Sequence, residues 1–100
     1  MRYGHPQGPT FARRFGDNLA RHRRAAGHSQ EVLGEMATMH RTAVGQLERG
    51  ERVARSDTLF KLAVALRIDP AALFEGITWV PPQIDTGRFE FPAAPEEAQP

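Results

Sequence analysis

Arg41, Thr42, Gln46 and Arg49 fall within one stretch, HRTAVGQLERGERV, residues 40–53. Their side chains end in guanidinium, hydroxyl and amide groups. Together these can address base-pair edges: arginine binds guanine, glutamine binds adenine, and threonine meets either a base or a thymine methyl. Wrapped on a helix at about 100° per residue, positions 40–50 divide into two faces. Ala43, Val44, Leu47 and Glu48 fall on one, and Thr42, Gly45, Gln46 and Arg49 on the other, with Arg41 at the border. The outer face suits base reading and also suits a plain solvated surface; the helix alone leaves both readings open. Gly45 on that face would let the backbone approach a partner closely, at about 1 kcal/mol of helix propensity relative to alanine.

Glu48 is out of place beside Val44 and Leu47. Buried without a partner, its carboxylate would cost several kcal/mol. It must therefore reach solvent or meet a cation, and Arg23, on the flank of an earlier helix, is the candidate.

Such a face needs a scaffold to hold it out. Thr10 can cap a first helix whose inner side is Phe11, Phe15, Leu19, His22 and Ala26, with Arg13, Arg21 and Arg24 turned away and Gly27 as the stop. Ser29 is a good cap for a short second helix with Glu31 in its first turn and Leu33, Met36 and Ala37 as its stripe. The third runs from His40 or Arg41 to Gly50. Arg55 or Ser56 opens a fourth, faced by Leu59, Leu62, Ala63 and Leu66. Asp69-Pro70 starts a fifth that carries Leu73 and Phe74 and ends at Gly76. The expectation is an all-α bundle of five short helices over residues 10–76. Beyond it, ITWV and RFEF, separated by Pro81-Pro82 and an Asp85-Thr86-Gly87 turn signal, predict an extended or hairpin-like tail over 77–91. Residues 1–9 and 92–100 are expected to be disordered.

Composition narrows the function. Forty per cent of the 100 residues are hydrophobic and 25% charged, as in an ordinary soluble domain. With no cysteine, disulfides, thiolate metal sites and cysteine nucleophiles are excluded. No apolar run approaches the ~20 residues of a membrane span, and no signal-peptide core opens the chain, so the cytoplasm is the expected location. Neither a glycine-rich phosphate loop nor a paired-carboxylate pocket is discernible, and His5, His22, His28 and His40 lack metal-ligand spacing. Neither catalysis, a cofactor nor a metal is expected. Residues 1–76 carry 12 Lys or Arg against 8 Asp or Glu, whereas residues 77–100 carry one Arg against four acids. A mildly basic body, with arginine supplying 12 of the 13 basic residues, is compatible with a nucleic-acid partner.

Residues 29–66, SQEVLGEMATMHRTAVGQLERGERVARSDTLFKLAVAL, resemble the phage-repressor-like helix-turn-helix family, also called the Cro or xenobiotic-response-element type. The matching points are Ser29-Gln30-Glu31, Leu33, Ala37, His40-Arg41-Thr42 with Val44, Leu47-Glu48-Arg49-Gly50, and Leu59 through Leu66. The resemblance implies a lambda-repressor-like DNA-binding bundle with its motif over 29–50 and its second motif helix in the major groove of double-stranded DNA. By position it makes Arg41, Thr42 and Gln46 the base-contacting residues. It puts Gln30, His40, Arg49, Arg52 and Arg55 on phosphates, with Gln30 also bracing the reading helix. An Arg23–Glu48 ion pair is implied too. Two positions depart from the family pattern: Gly34 replaces an alanine, and Thr38 replaces the turn glycine. A left-handed threonine costs about 1–2 kcal/mol, unless the turn is altered.

Regulators of this family commonly act as dimers, here a homodimeric repressor, on palindromes with half-sites about 10 bp apart. Phe60 and Val64 stand one turn apart on the outer side of the fourth helix and can mark an interface. Trp79, Phe89 and Phe91, with Ile77 and Ile84, form an aromatic tail expected either to cover Phe60 and Val64, within one chain or across a dimer, or to pack only on its own subunit and finish an undersized core. The same acidic, aromatic tail supports a different reading, a protein-interaction module such as an antitoxin or adaptor that binds a partner protein.

Overall fold

The computed structural model describes residues 10–83 and 86–92. The expectations for residues 1–9, Ile84, Asp85 and 93–100 lie outside them. Within them the chain forms α1 (Phe11–Ala25), α2 (Gln30–Met36), α3 (Arg41–Glu48), α4 (Ser56–Leu66), a 3-10 helix (Pro70–Phe74) and the strands β1 (Thr78–Val80) and β2 (Arg88–Glu90).

The helix starts follow local chemistry. Thr10 Oγ1 accepts from the Arg13 N–H at 3.1 Å, and Ser29 Oγ from the Val32 N–H at 3.0 Å, each satisfying a donor that the first turn leaves open. Asp69 caps the last helix the same way, accepting from the Ala71 N–H at 2.8 Å. That element corrects the five-α-helix expectation. It is a five-residue 3-10 helix, with the Ala72 N–H bonded to the Asp69 carbonyl three residues back. Pro70 and the positive-φ Gly76 stand so close that little more than one turn fits between them.

Phe15, Leu19, Leu33, Ala37, Val44, Leu47, Leu62, Ala63, Leu66 and Leu73 form one core shared by the four α-helices and the 3-10 helix. Two residues expected on inner faces are exposed instead. Met36 is exposed because the buried side of α2 runs through Leu33 and Gly34 towards Ala37, about a quarter-turn away. Ala26 lies past the end of α1 and is exposed. The core instead admits Asn18, fully buried, whose Nδ2 donates to the Leu73 and Glu75 carbonyls at 3.0 and 2.8 Å. It fastens α1 to the 3-10 helix.

Two glycines allow backbones to meet. A Cβ on Gly16 would stand 2.3 Å from the Leu47 carbonyl oxygen, so α1 and α3 touch main chain to main chain. A Cβ on Gly34 would stand 2.5 Å from the Met39 carbonyl oxygen in the α2–α3 turn. That turn keeps the left-handed geometry despite lacking glycine: Thr38 has φ 54°, and its Oγ1 accepts from Lys61 Nζ at 3.2 Å.

The tail is a hairpin, β1 antiparallel to β2 with Trp79 opposite Phe89. Within the chain it takes the second of the two expected seats, on the core of its own subunit. Phe89 packs on Phe11 with ring centroids 5.0 Å apart, and Phe11 continues through Phe74 to Phe15. Phe91 contacts Phe89 at 6.5 Å. Arg14 Nη1 donates to the Gly76 carbonyl at 3.1 Å and the Pro92 carbonyl at 2.8 Å, pinning both ends of the hairpin to α1. Pro92, expected in the disordered end, is therefore held. Within the chain the hairpin does not cover Phe60 and Val64, which remain 62% and 60% exposed.

Candidate nucleic-acid interface

His40 opens α3 as its cap, with Nδ1 accepting from the Thr42 N–H at 3.0 Å. Val44 and Leu47 are buried in the core, and Ala43 is half-buried. Arg41 and Thr42 are exposed and Gln46 partly so, on the outer side of the helix.

What fixes the roll of α3 is Glu48. Its side chain is only 6% exposed and that of Arg23 11%. Arg23 Nε donates to Glu48 Oε2 at 2.6 Å and Arg23 Nη2 to Oε1 at 3.1 Å, a two-point grip that a guanidinium makes well. Gln30 Nε2 donates to the same Oε1 at 2.9 Å, and Arg23 Nη1 donates to the His28 carbonyl at 2.9 Å. The hydrogen bond to Glu48 pushes the Arg23 guanidinium above its usual range. α1, the start of α2 and the end of α3 are thereby tied at one buried carboxylate. The expected Arg23–Glu48 pair is present, and so is the contact of Gln30 with α3.

The remaining expected contact residues form a rim of their own. Arg52 Nη1 donates to Gln46 Oε1 at 3.1 Å, which orients the amide. Arg49 is gripped by Glu51, Nε to Oε2 at 2.7 Å and Nη2 to Oε1 at 3.3 Å. That bond raises the arginine and holds the Glu51 carboxyl below the usual carboxylate range. Arg55 meets Asp57 at 3.3 Å and Arg41 meets Glu31 at 3.9 Å. Gly45 corrects the expectation of an open backbone approach. It is buried, because Arg49 and Gln30 lie over it: a Cβ there would stand 3.0 Å from Arg49 Nη1 and 3.6 Å from Gln30 Oε1.

Sequence reasoning missed the acids of this rim, Glu51 above all. The signal was available in the spacing Arg49-Gly50-Glu51, an arginine and a carboxylate on either side of a helix-ending glycine. Outside the rim, Met36, Phe60, Lys61 and Val64 line a shallow apolar groove on α2 and α4. Among the described residues no helix is long and apolar enough to cross a membrane.

Comparison with known proteins adds four findings. The family model described as helix-turn-helix (HTH_3) matches residues 19–73. Control protein C.SmaI of Serratia marcescens is 42% identical over 50 residues, which are 50% of this chain and 60% of that protein, so less than two thirds of its length is spanned. Among solved structures, the restriction-modification controller protein C.AhdI from Aeromonas hydrophila is 41% identical with a TM-score of 0.62, over 63% of this chain and 96% of that one. The P22 c2 repressor in complex with synthetic operator 9T is 29% identical with a TM-score of 0.59, over 62% and 94%.

Proposed function

Because the chain belongs to the helix-turn-helix family whose model spans residues 19–73, we propose that it is a sequence-specific regulator of transcription that binds double-stranded DNA. It acts in the cytoplasm as a homodimeric repressor, with α3 in the major groove of a palindromic operator. The DNA-binding domain is residues 10–76. Arg41, Thr42 and Gln46 meet base edges, while Gln30, His40, Arg49, Arg52 and Arg55 meet phosphates. Phe60 and Val64 lie in the contact between the two copies.

The observation that carries this reading is the buried carboxylate of Glu48, held by Arg23 and Gln30. Burial alone demands partners for that carboxylate. These partners also fix the roll of α3, and a rotation of a few tens of degrees would take Arg41, Thr42 and Gln46 off their bases. The similarity to a restriction-modification controller and to a phage repressor with its operator supports gene control as the outcome.

Selection of bound fragments from random DNA tests it. The expected product is a two-fold-symmetric site with half-sites about 10 bp apart, bound with an affinity that falls steeply as salt rises. Failure to enrich any sequence contradicts the reading. A second reading, a module that binds a partner protein through the hairpin, is supported by Trp79 and Phe89, which stay 51% and 45% exposed. It requires a co-purifying partner that Trp79→Ala releases.

A further inference from the structure

Arg49 is not a loose surface arginine. It caps the end of α3, and its side chain runs back towards the helix N-terminus, as helical side chains do, to lie across Gly45. The missing Cβ of Gly45 makes the seat. Glu51 then closes on the guanidinium with both carboxylate oxygens. Glu51 is itself anchored, because its N–H donates to the Gln46 carbonyl at 2.9 Å as the chain leaves the helix. The seat, the two-point grip and the backbone anchor together hold Arg49 in one pose. Arg55 makes a single bond to Asp57, at 3.3 Å, and Arg41 stands 3.9 Å from Glu31, neither with the two-point grip that Glu51 has on Arg49.

We propose that Glu51 is a specificity-determining residue of the DNA-binding surface, withholding Arg49 from the phosphates of unselected DNA and releasing it only when α3 is seated on its own site. The inference rests on the DNA-binding reading above and deepens it. Binding to arbitrary sequence draws its affinity from phosphates and the counterions they release. An arginine already neutralised by a carboxylate adds little to that, and the carboxylate repels the phosphates as they approach. The Arg49–Glu51 pair is about half exposed on both sides, at 58% and 52%, and pairs so exposed are weak. On unselected DNA α3 is not seated, and the phosphates stand too far off to outcompete Glu51; once Arg41, Thr42 and Gln46 have engaged base edges and brought the helix close, a phosphate reaches the guanidinium and displaces Glu51. Glu51 thereby lowers the background more than it lowers the signal.

The test uses two duplexes of equal length and composition, one carrying the site selected by the wild-type chain and one scrambled, titrated over a range of salt. Glu51→Gln is expected to raise affinity for the scrambled duplex by about fivefold and to steepen its log–log salt slope by about 1. On the selected site the gain is about twofold or less, so the specificity ratio falls. In an Arg49→Ala background the gain on scrambled DNA shrinks to within error. The inference is overturned if Glu51→Gln weakens binding to the site, raises both affinities equally or leaves the ratio unchanged. It is overturned equally if the gain persists undiminished without Arg49. If the wild-type chain selects no site and shows no salt-dependent binding, the DNA-binding reading itself fails; every other contrary outcome sinks the role of Glu51 alone.

Discussion

Three donors converge on the Glu48 carboxylate, two from Arg23 and one from Gln30, in a place where water barely reaches. Removing the carboxylate does more than delete those bonds. It leaves a guanidinium in a site built for an anion. Glu48→Ala is therefore expected to lower unfolding free energy by about 3–5 kcal/mol in a urea titration. A loss below about 1 kcal/mol would mean that the pair is solvated and does not fix the helix. Arg52 is the contrasting case, an exposed side chain whose partner Gln46 is also exposed in part. Arg52→Ala is expected to leave stability within about 0.5 kcal/mol. It should weaken binding to all DNA sequences alike and reduce the salt slope by about 1. A change in preference at any base pair other than the one Gln46 meets would place Arg52 on a base.

At the scale of the elements, the approach of α1 to α3 depends on the absent side chain of Gly16, since the atoms it would meet are the Leu47 and Glu48 carbonyls. Backbone within a helix cannot step aside as a flexible side chain can. Gly16→Ala should cost about 1–3 kcal/mol of stability by thermal unfolding, with a local change at Glu48. Thr38→Gly should act in the other direction. It relieves a left-handed threonine, and against the backbone entropy that glycine adds to the unfolded chain the net gain is about 0.5–1 kcal/mol. Much of this level was legible in the sequence. Ser29 and Asp69-Pro70 declared helix starts, and the apolar period gave α1, α3 and α4 their inner faces. The odd carboxylate at position 48 asked for Arg23. What could not be read depended on atoms far apart in sequence. Periodicity put Gly45 outside because it cannot see Arg49 and Gln30 folding over it, and it took Pro70–Phe74 for an α-helix because a start signal says nothing of length. Asn18 was legible in principle, being a polar residue between Phe15 and Leu19 on an apolar face.

For the whole molecule, the proposed function gives the hairpin and the outer side of α4 separate tasks. The hairpin extends the core past Phe11 and is locked by Arg14, so on the proposed account it is not what joins two copies. Phe60→Asp with Val64→Asp is expected to give a monomer in analytical ultracentrifugation and to abolish tight binding to a full palindrome while sparing a single half-site. A dimer unaffected by both changes would move the interface elsewhere. The sequence left the seat of the hairpin open because nothing in Trp79, Phe89 and Phe91 says which exposed apolar surface they will meet; Arg14, bonded to two carbonyls 16 residues apart in the chain, decided it. The central claim is that α3 reads bases from a helix whose roll is fixed. The most direct measurement is parallel selection from random DNA by the wild-type chain and by Gln46→Ala. The account predicts that Gln46→Ala returns the same palindrome with preference lost at one base pair per half-site, worth about 1–3 kcal/mol there, and retained at the others. An unchanged profile at every position would contradict it.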